Sequence, residues 1–288
     1  MARSLAARRR TLFIQALTRL PHERVRAGVG VARSGGAGAR ALSPLLWWLG
    51  RGPVRVADGP AAGLRLARAD VVACHIQAFG LVRGTLELPV QEALRRTLGP
   101  GATLYDIGAN IGFFSLLGAR LAGPRGHVFA FEPHPQSAAL IAASARANDL
   151  ETITILPLAL GAAAGRAHLL DVREPSWSHL ASYGEHPQSS GSLPVEVAAI
   201  DELLEQGRIR PPTVVKLDAE GAELDILAGM SQALSSHRPA VICELHATNE
   251  PFADFMESAG YAVENLDGPE PVRSAGPEVH VLALPRAA

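Results

Sequence analysis

The sequence has little lysine, little cysteine and no long apolar run. Lys216 is the single lysine among 27 lysine and arginine residues, Cys74 and Cys243 are the two cysteines, and the apolar stretch near the front, around Leu45 to Leu49, is short. Each shortage removes a class of protein. A membrane-spanning helix needs roughly 18 or more apolar residues in succession, so a soluble, cytoplasmic chain is expected. Cysteines this far apart form neither a metal-ligand nor a redox spacing, and both read as small buried residues in a reducing compartment. The formal net charge of -1 lacks the basic excess of a general nucleic-acid binder, so no specific nucleic-acid partner is expected. Arg8, Arg9 and Arg10 ahead of Leu12, Phe13 and Ile14 have the outline of a secretory signal, but Gln15, Thr18 and Arg19 interrupt it at once. Export is not expected.

What is present suits a sizeable core, since 288 residues at 48% hydrophobic fit one α/β domain with an N-terminal extension. Residues 1–50 carry nine arginines against one acid, Glu23. They read as a basic extension, partly helical (Thr11 to Leu20) or disordered, with a peripheral touch on an anionic membrane surface as its alternative use. The Gly/Ala/Ser stretch from Ser34 to Ala41 reads as a linker, and Trp47 and Trp48 as a cluster that packs on the main domain. Residues 51–100 read as a lead-in of short β-like pieces, including Gly63 to Leu66 and Ile76 to Val82, followed by a helix from Val90 to Leu98. Residues 101–286 read as the main domain.

Within that domain apolar strand-like runs alternate with helix-length segments, the pattern of a mostly parallel sheet covered on both faces. Seven strands are expected: Thr103 to Ile107, His127 to Phe131, Thr152 to Leu156, Val214 to Leu217, Ala240 to Glu244, Tyr261 to Val263 and Val279 to Leu284. Helices are expected over Gly112 to Leu121, Pro135 to Ala147, Ala222 to Leu227 and Pro251 to Ala259. A long Ser-, Pro-, Gly- and His-rich insert, residues 162–212, reads as irregular, and loops of that length are usually functional. Much of the acceptor pocket is expected there, with Trp177 and the insert's histidines as candidate contacts.

Three motifs fall at the carboxyl ends of expected strands. Asp106-Ile-Gly108-Ala109-Asn110-Ile-Gly112 joins the first strand to its helix, where small residues and unpaired N–H donors suit a nucleotide-like ligand. The dinucleotide form G-x-G-x-x-G is not present, because Asn110 occupies the middle glycine position. Glu132 closes the second strand, where a carboxylate can accept two hydrogen bonds from a ribose. Lys216-Leu-Asp218-Ala-Glu220-Gly221-Ala-Glu223 ends the fourth strand, and a lysine in an otherwise buried strand predicts an ion pair with a neighbouring acid.

With these motifs the chain resembles the FkbM family of methyltransferases. The resemblance runs through Gly84-Thr-Leu-Glu87, Asp106 to Ser115, Phe129 to Pro133, Asn148, Ala159-Leu-Gly161, Ile200 to Leu203, Lys216 to Glu223, and Arg238-Pro through Glu244-Leu-His246, over about residues 84–246. Ala219 stands where the family commonly has valine, and residues 1–80 show no match. The resemblance implies a Rossmann-like class I fold and S-adenosylmethionine as cofactor, held by Glu87, Asp106, Gly108, Ala109, Asn110, Gly112 and Glu132. Of these, Asp106, Gly108, Asn110 and Gly112 are implied to hold the methionine part and Glu132 the ribose. It further implies O-methylation of a hydroxyl on a sugar, glycan, glycolipid or secondary metabolite.

Methyl transfer to an alcohol needs alignment of donor and acceptor and removal of a proton. Asp218, Glu220 and His246 are the expected bases, since all three emerge at one edge of the sheet. Asp218, Glu220, Glu244 and His246 could also make an oxygen-rich magnesium site, but nothing in their spacing requires a metal, and none is expected. Two other readings stay open on sequence: a nicotinamide-dependent oxidoreductase, and a non-catalytic binding or scaffold protein on the same fold.

Overall fold

The computed structural model describes residues 54–67, 80–172 and 189–286. The expectations for the basic extension, Cys74, Trp47, Trp48 and Trp177 lie outside those residues. The chain divides at Leu88/Pro89 into two compact units.

In the first unit, β1 (Val54–Arg55) pairs antiparallel with β2 (Arg65–Leu66). The chain returns past this hairpin at Gly84, whose φ is 80° and where a Cβ would lie 1.9 Å from the Asp58 carbonyl oxygen. Residues 80–83 are helical, which corrects the extended reading of the piece ending at Val82. A short apolar run carries no period long enough to separate helix from strand.

The second unit opens with α1 (Leu88–Thr97) and then winds the main sheet. Its strands are β3 (Thr103–Ile107), β4 (His127–Phe131), β5 (Ile153–Leu156), β9 (Val214–Leu217), β10 (Ala240–His246), β11 (Tyr261–Asn265) and β12 (Glu278–Pro285), in the order β11-β12-β10-β9-β3-β4-β5. The five strands from β10 to β5 are parallel, and β12 runs antiparallel to both of its neighbours. Every residue of β3 and β9 is buried, as strands covered on both faces require. From β3 the chain first builds outward through β4 and β5, then returns to build the other way through β9 and β10. That reversal opens a crevice at the carboxyl ends of β3 and β9, where ligands bind in open α/β sheets.

Alternation sorts the two faces. Tyr105, Ile107, Phe129, Phe131, Val215, Leu217, Val241 and Cys243 enter one buried cluster, with Ile226, Leu234, Phe252 and Met256 from α5 (Glu223–Ala228), α6 (Ser231–His237) and α7 (Asn249–Ser258). Tyr105 meets Phe129 and Phe131 edge-on at 5.7 and 5.6 Å between ring centroids. On the opposite face α2 (Phe113–Ala122) lies so close to β3 that a Cβ at Gly118 would sit 2.2 Å from Leu104 Cδ2. This close seating brings Ser115, on the first turn of α2, against Asp106. Beside α2 runs α3 (Pro135–Ala147), started by Pro135 at its first position, where proline's fixed φ suits a helix.

The insert is more regular than its composition suggests. β7 (Gly165–Val172) and β8 (Ser189–Ala198) form an antiparallel ribbon, joined through β8 to β6 (Ala159–Leu160), and α4 (Ile200–Glu205) follows. The irregular reading of residues 162–212 is therefore corrected for the described part, residues 162–172 and 189–212. Leu169 and Val195 bury against Ala159, while the exposed face tolerates polar residues, so this ribbon lacks the apolar run of a central strand. No helix among the described residues is long and apolar enough to cross a membrane.

Candidate active site

The crevice has two edges. At the first, Asp106 is fully buried on β3, and Ser115 Oγ donates a short hydrogen bond to its Oδ2. Its other oxygen, Oδ1, is buried and meets no hydrogen-bond donor among the described residues. Burial pushes the Asp106 carboxyl up from its ordinary range, with the Lys216 charge working the other way. Asp106 and Lys216 are register partners on β3 and β9, so the only lysine of the chain stands beside it. Lys216 is itself committed to Asp218, Nζ to Oδ2 at 2.8 Å, and lies 5.1 Å from the Phe114 ring centroid. The expected ion pair is present.

The turn after β3 is held from both sides. Gly108 and Ala109 donate backbone N–H groups to the Phe131 carbonyl, each at 3.1 Å. Gly108 has φ 72°, and a Cβ there would fall 1.7 Å from the Asp218 carbonyl oxygen. This glycine is needed for the approach of the neighbouring turn, whatever else it does. Asn110 is left-handed at φ 48°, and its backbone N–H donates to Glu132 Oε2 at 2.7 Å. Glu132 Oε1 accepts from His134 N–H, also at 2.7 Å. Burial nevertheless pushes the Glu132 carboxyl up to about 7, against the pull of those two hydrogen bonds. Asn110 Oδ1 is buried without a hydrogen-bond donor among the described residues, and Gly112, φ 84°, caps α2.

Acids and imidazoles crowd the second edge. Asp218 follows β9; burial works against its ionisation, but the Lys216 ammonium more than offsets this and holds its carboxyl low. Glu220, left-handed at φ 50°, is raised to about 7 by burial and by the Asp218, Glu244 and Glu223 charges. His246, at the end of β10, is pulled down by burial, but its hydrogen bond to Glu223 and the nearby carboxylates carry it up to about 9. Its Nδ1 is 2.9 Å from Glu223 Oε1 and its Nε2 3.5 Å from Glu220 Oε2. Glu223, 0% exposed, also accepts from Gly221 N–H at 2.8 Å.

The structure thus gathers Asp106, Gly108, Ala109, Asn110, Gly112 and Glu132 along one side, and Asp218, Glu220 and His246 along the other. Glu87, with φ 40°, belongs to the first unit. Sequence reasoning missed Glu223 as a buried partner of His246, and missed His280. The latter sits on β12 opposite Glu244, a pairing that the chain's spacing does not announce.

The doubly wound sheet reverses at β3, carboxylates stand at the ends of β3 and β4, and the dinucleotide glycine pattern is not present, an arrangement of the Rossmann-like class that suits a nucleoside-like ligand at the crevice. Residues 106–263 match the methyltransferase FkbM domain, and the chain belongs to that family. Among its relatives, the hexuronic acid methyltransferase AglP of Haloferax volcanii is 35% identical over 149 residues, 51% of this chain and 57% of AglP. The 31-O-demethyl-FK506 methyltransferase FkbM of Streptomyces tacrolimicus is 26% identical, over 66% of this chain and 83% of that one. A 2-O-methyltransferase, NoeI of Sinorhizobium fredii, is 25% identical over 56% and 71%. The match therefore spans little more than half the length of AglP. Among solved structures, methyltransferase FkbM from Methylobacillus flagellatus aligns over 86% of this chain and 60% of its own, at 17% identity and a TM-score of 0.45.

Proposed function

We propose that this protein transfers a methyl group from S-adenosylmethionine to a hydroxyl of a sugar, glycan, glycolipid or secondary metabolite. The observation that carries the cofactor site is the pair of buried acceptor atoms, Asp106 Oδ1 and Asn110 Oδ1, at the glycine turn. A buried acceptor without a donor costs about 1–3 kcal/mol, and the donors of an amino-acid moiety would offset that. Asp106, Gly108, Ala109, Asn110 and Gly112 would hold the methionine part and Glu132 the ribose, with Glu87 added on the family resemblance. The cofactor supplies the electrophilic methyl when bound. The chain's own residues then align the acceptor and take its proton, a task assigned to the second edge, Asp218, Glu220 and His246.

The sugar-class acceptor is supported by the hexuronic acid methyltransferase AglP, and transfer to oxygen by the 2-O-methyltransferase NoeI. The region from 162 to 212 is proposed to recognise it, and the basic residues 1–50 are proposed to meet a membrane surface peripherally. Calorimetric titration with S-adenosylmethionine, and with NAD in parallel, tests the cofactor reading. Saturable binding of the first alone is expected. The Asp106→Ala protein should lose that binding by at least about a hundredfold, since a charge-assisted contact and its buried setting go together. Wild-type affinity in this variant would remove Asp106 from the site.

A further inference from the structure

Two imidazoles at the second edge are held in the same way. His246 on β10 has its Nδ1 2.9 Å from Glu223, and His280 on β12 has its Nδ1 3.0 Å from Asp267 Oδ2. In each ring the other nitrogen turns toward a carboxylate that it does not reach well. His246 Nε2 is 3.5 Å from Glu220 Oε2, and His280 Nε2 is 3.7 Å from Glu244 Oε2. Such spacings are long for hydrogen bonds. Asp218, Glu244 and His246 each offer one donor atom, and the three atoms lie within 4.8 Å of one another. Glu244 and His280 are register partners across β10 and β12.

We propose that Asp218, Glu244 and His246 bind one divalent transition-metal ion of the Mn²⁺ class at the acceptor side of the crevice, with His280 beside Glu244 on the neighbouring strand. Three observations support it. Metal-ligating histidines almost always have their second ring nitrogen held by a carboxylate or carbonyl, which orients the ring and fixes the tautomer; Glu223, 0% exposed, does this for His246, and Asp267 for His280. Four carboxylates, Asp218, Glu220, Glu223 and Glu244, crowd about this edge, and the one lysine there, Lys216, is paired with Asp218. Imidazole nitrogens beside carboxylate oxygens favour a transition metal over magnesium, which prefers oxygen donors and water.

The ion's role, though not its binding, rests on the methyl-transfer reading. Coordination of the acceptor hydroxyl favours its ionisation. The O–H bond breaks with its proton passing to the Glu220 carboxylate, and the oxygen forms its bond to the methyl carbon. The carbon–sulfur bond breaks in the same displacement, and its electron pair stays on the sulfur of S-adenosylhomocysteine.

The test is titration of the full-length protein with MnCl₂ alone, followed by calorimetry and by pulsed electron paramagnetic resonance. One Mn²⁺ per chain with imidazole nitrogen couplings is expected. Glu244→Gln should weaken binding at least about tenfold, a loss of about 1.4 kcal/mol, and His246→Gln should diminish the nitrogen couplings. Circular dichroism checks that each variant is folded, and if one is not, the other decides. No saturable binding to folded protein, an oxygen-only spectrum, or both folded variants binding like wild type would overturn the site. Because S-adenosylmethionine is absent from these titrations, Mn²⁺ binding by a protein that fails to bind S-adenosylmethionine would sink the methyl-transfer reading and leave the metal site standing.

Discussion

The two edges of the crevice handle charge in opposite ways. At the β3–β4 edge, Asp106 and Glu132 are buried, and each is held by short contacts to its own surroundings, Ser115 for one and the backbone of Asn110 and His134 for the other. At the β9–β10–β12 edge, Asp218, Glu220, Glu244 and His246 are partly exposed, and His246 stands between Glu220 and Glu223. Rigid carboxylates fixed by their own neighbours, with the buried Asp106 Oδ1 open to a ligand donor, suit a ligand that is the same in every turnover. Grouped and mutually repelling ones suit protons, cations and a reacting hydroxyl, where charge must move. The contrast separates a holding edge from a working edge.

The sharpest way to break the comparison is at Gly108, where the two edges touch. Gly108→Ala puts a methyl group 1.7 Å from the Asp218 carbonyl oxygen at a φ of 72°. With left-handed strain and a backbone clash added together, a loss of about 4 kcal/mol or failure to fold is expected in chemical denaturation. Tolerance within about 1 kcal/mol would mean that the two turns are not braced against each other.

Lys216 links the edges electrostatically. It is almost fully buried and pairs with Asp218 while standing beside Asp106. Lys216→Met keeps the length and removes the charge, leaving buried acids without their cation, and about 3 kcal/mol should be lost. The Asp218 carboxyl is held low in the folded protein, so its stabilisation is present above its ordinary range and lost as pH falls through its lowered value. Wild type and Lys216→Met should therefore converge in stability at strongly acidic pH. A gap that persists there would assign the loss to packing instead.

The smallest effect sharpens the holding edge. Glu132 is raised to about 7, above its value in an unfolded chain, so its contribution to stability is full below about 4.5 and is lost as pH rises through about 7. Ribose hydroxyls donate more strongly to the carboxylate than to the neutral acid, by roughly 1 kcal/mol. Affinity for S-adenosylmethionine should therefore weaken about threefold from pH 8 to pH 6, and the Glu132→Gln protein should lack this dependence. An identical slope in both proteins would move the titrating group elsewhere.

The sequence by itself determined the main sheet. Its strands are short runs of Val, Ile, Leu and Phe with helix-length segments between them, and the observed ends of β3, β4 and β9 coincide with those read from that pattern. It also located Asp106, Glu132, Asp218, Glu220 and His246, because residues that end a parallel strand reach the same edge wherever the chain goes next. The β6–β8–β7 sheet was illegible, since a ribbon buried on one face needs only a few apolar side chains and its composition resembles a loop. The pairings of Glu223 with His246 and of His280 with Glu244 were illegible for a different reason. Glu223 meets His246 through the packing of a helix start against a strand end, and His280 meets Glu244 through the antiparallel return of β12, 36 residues later. Contacts between strands far apart in the chain depend on sheet order and register, which local periodicity does not encode, and so these two pairings were decided by the tertiary structure alone.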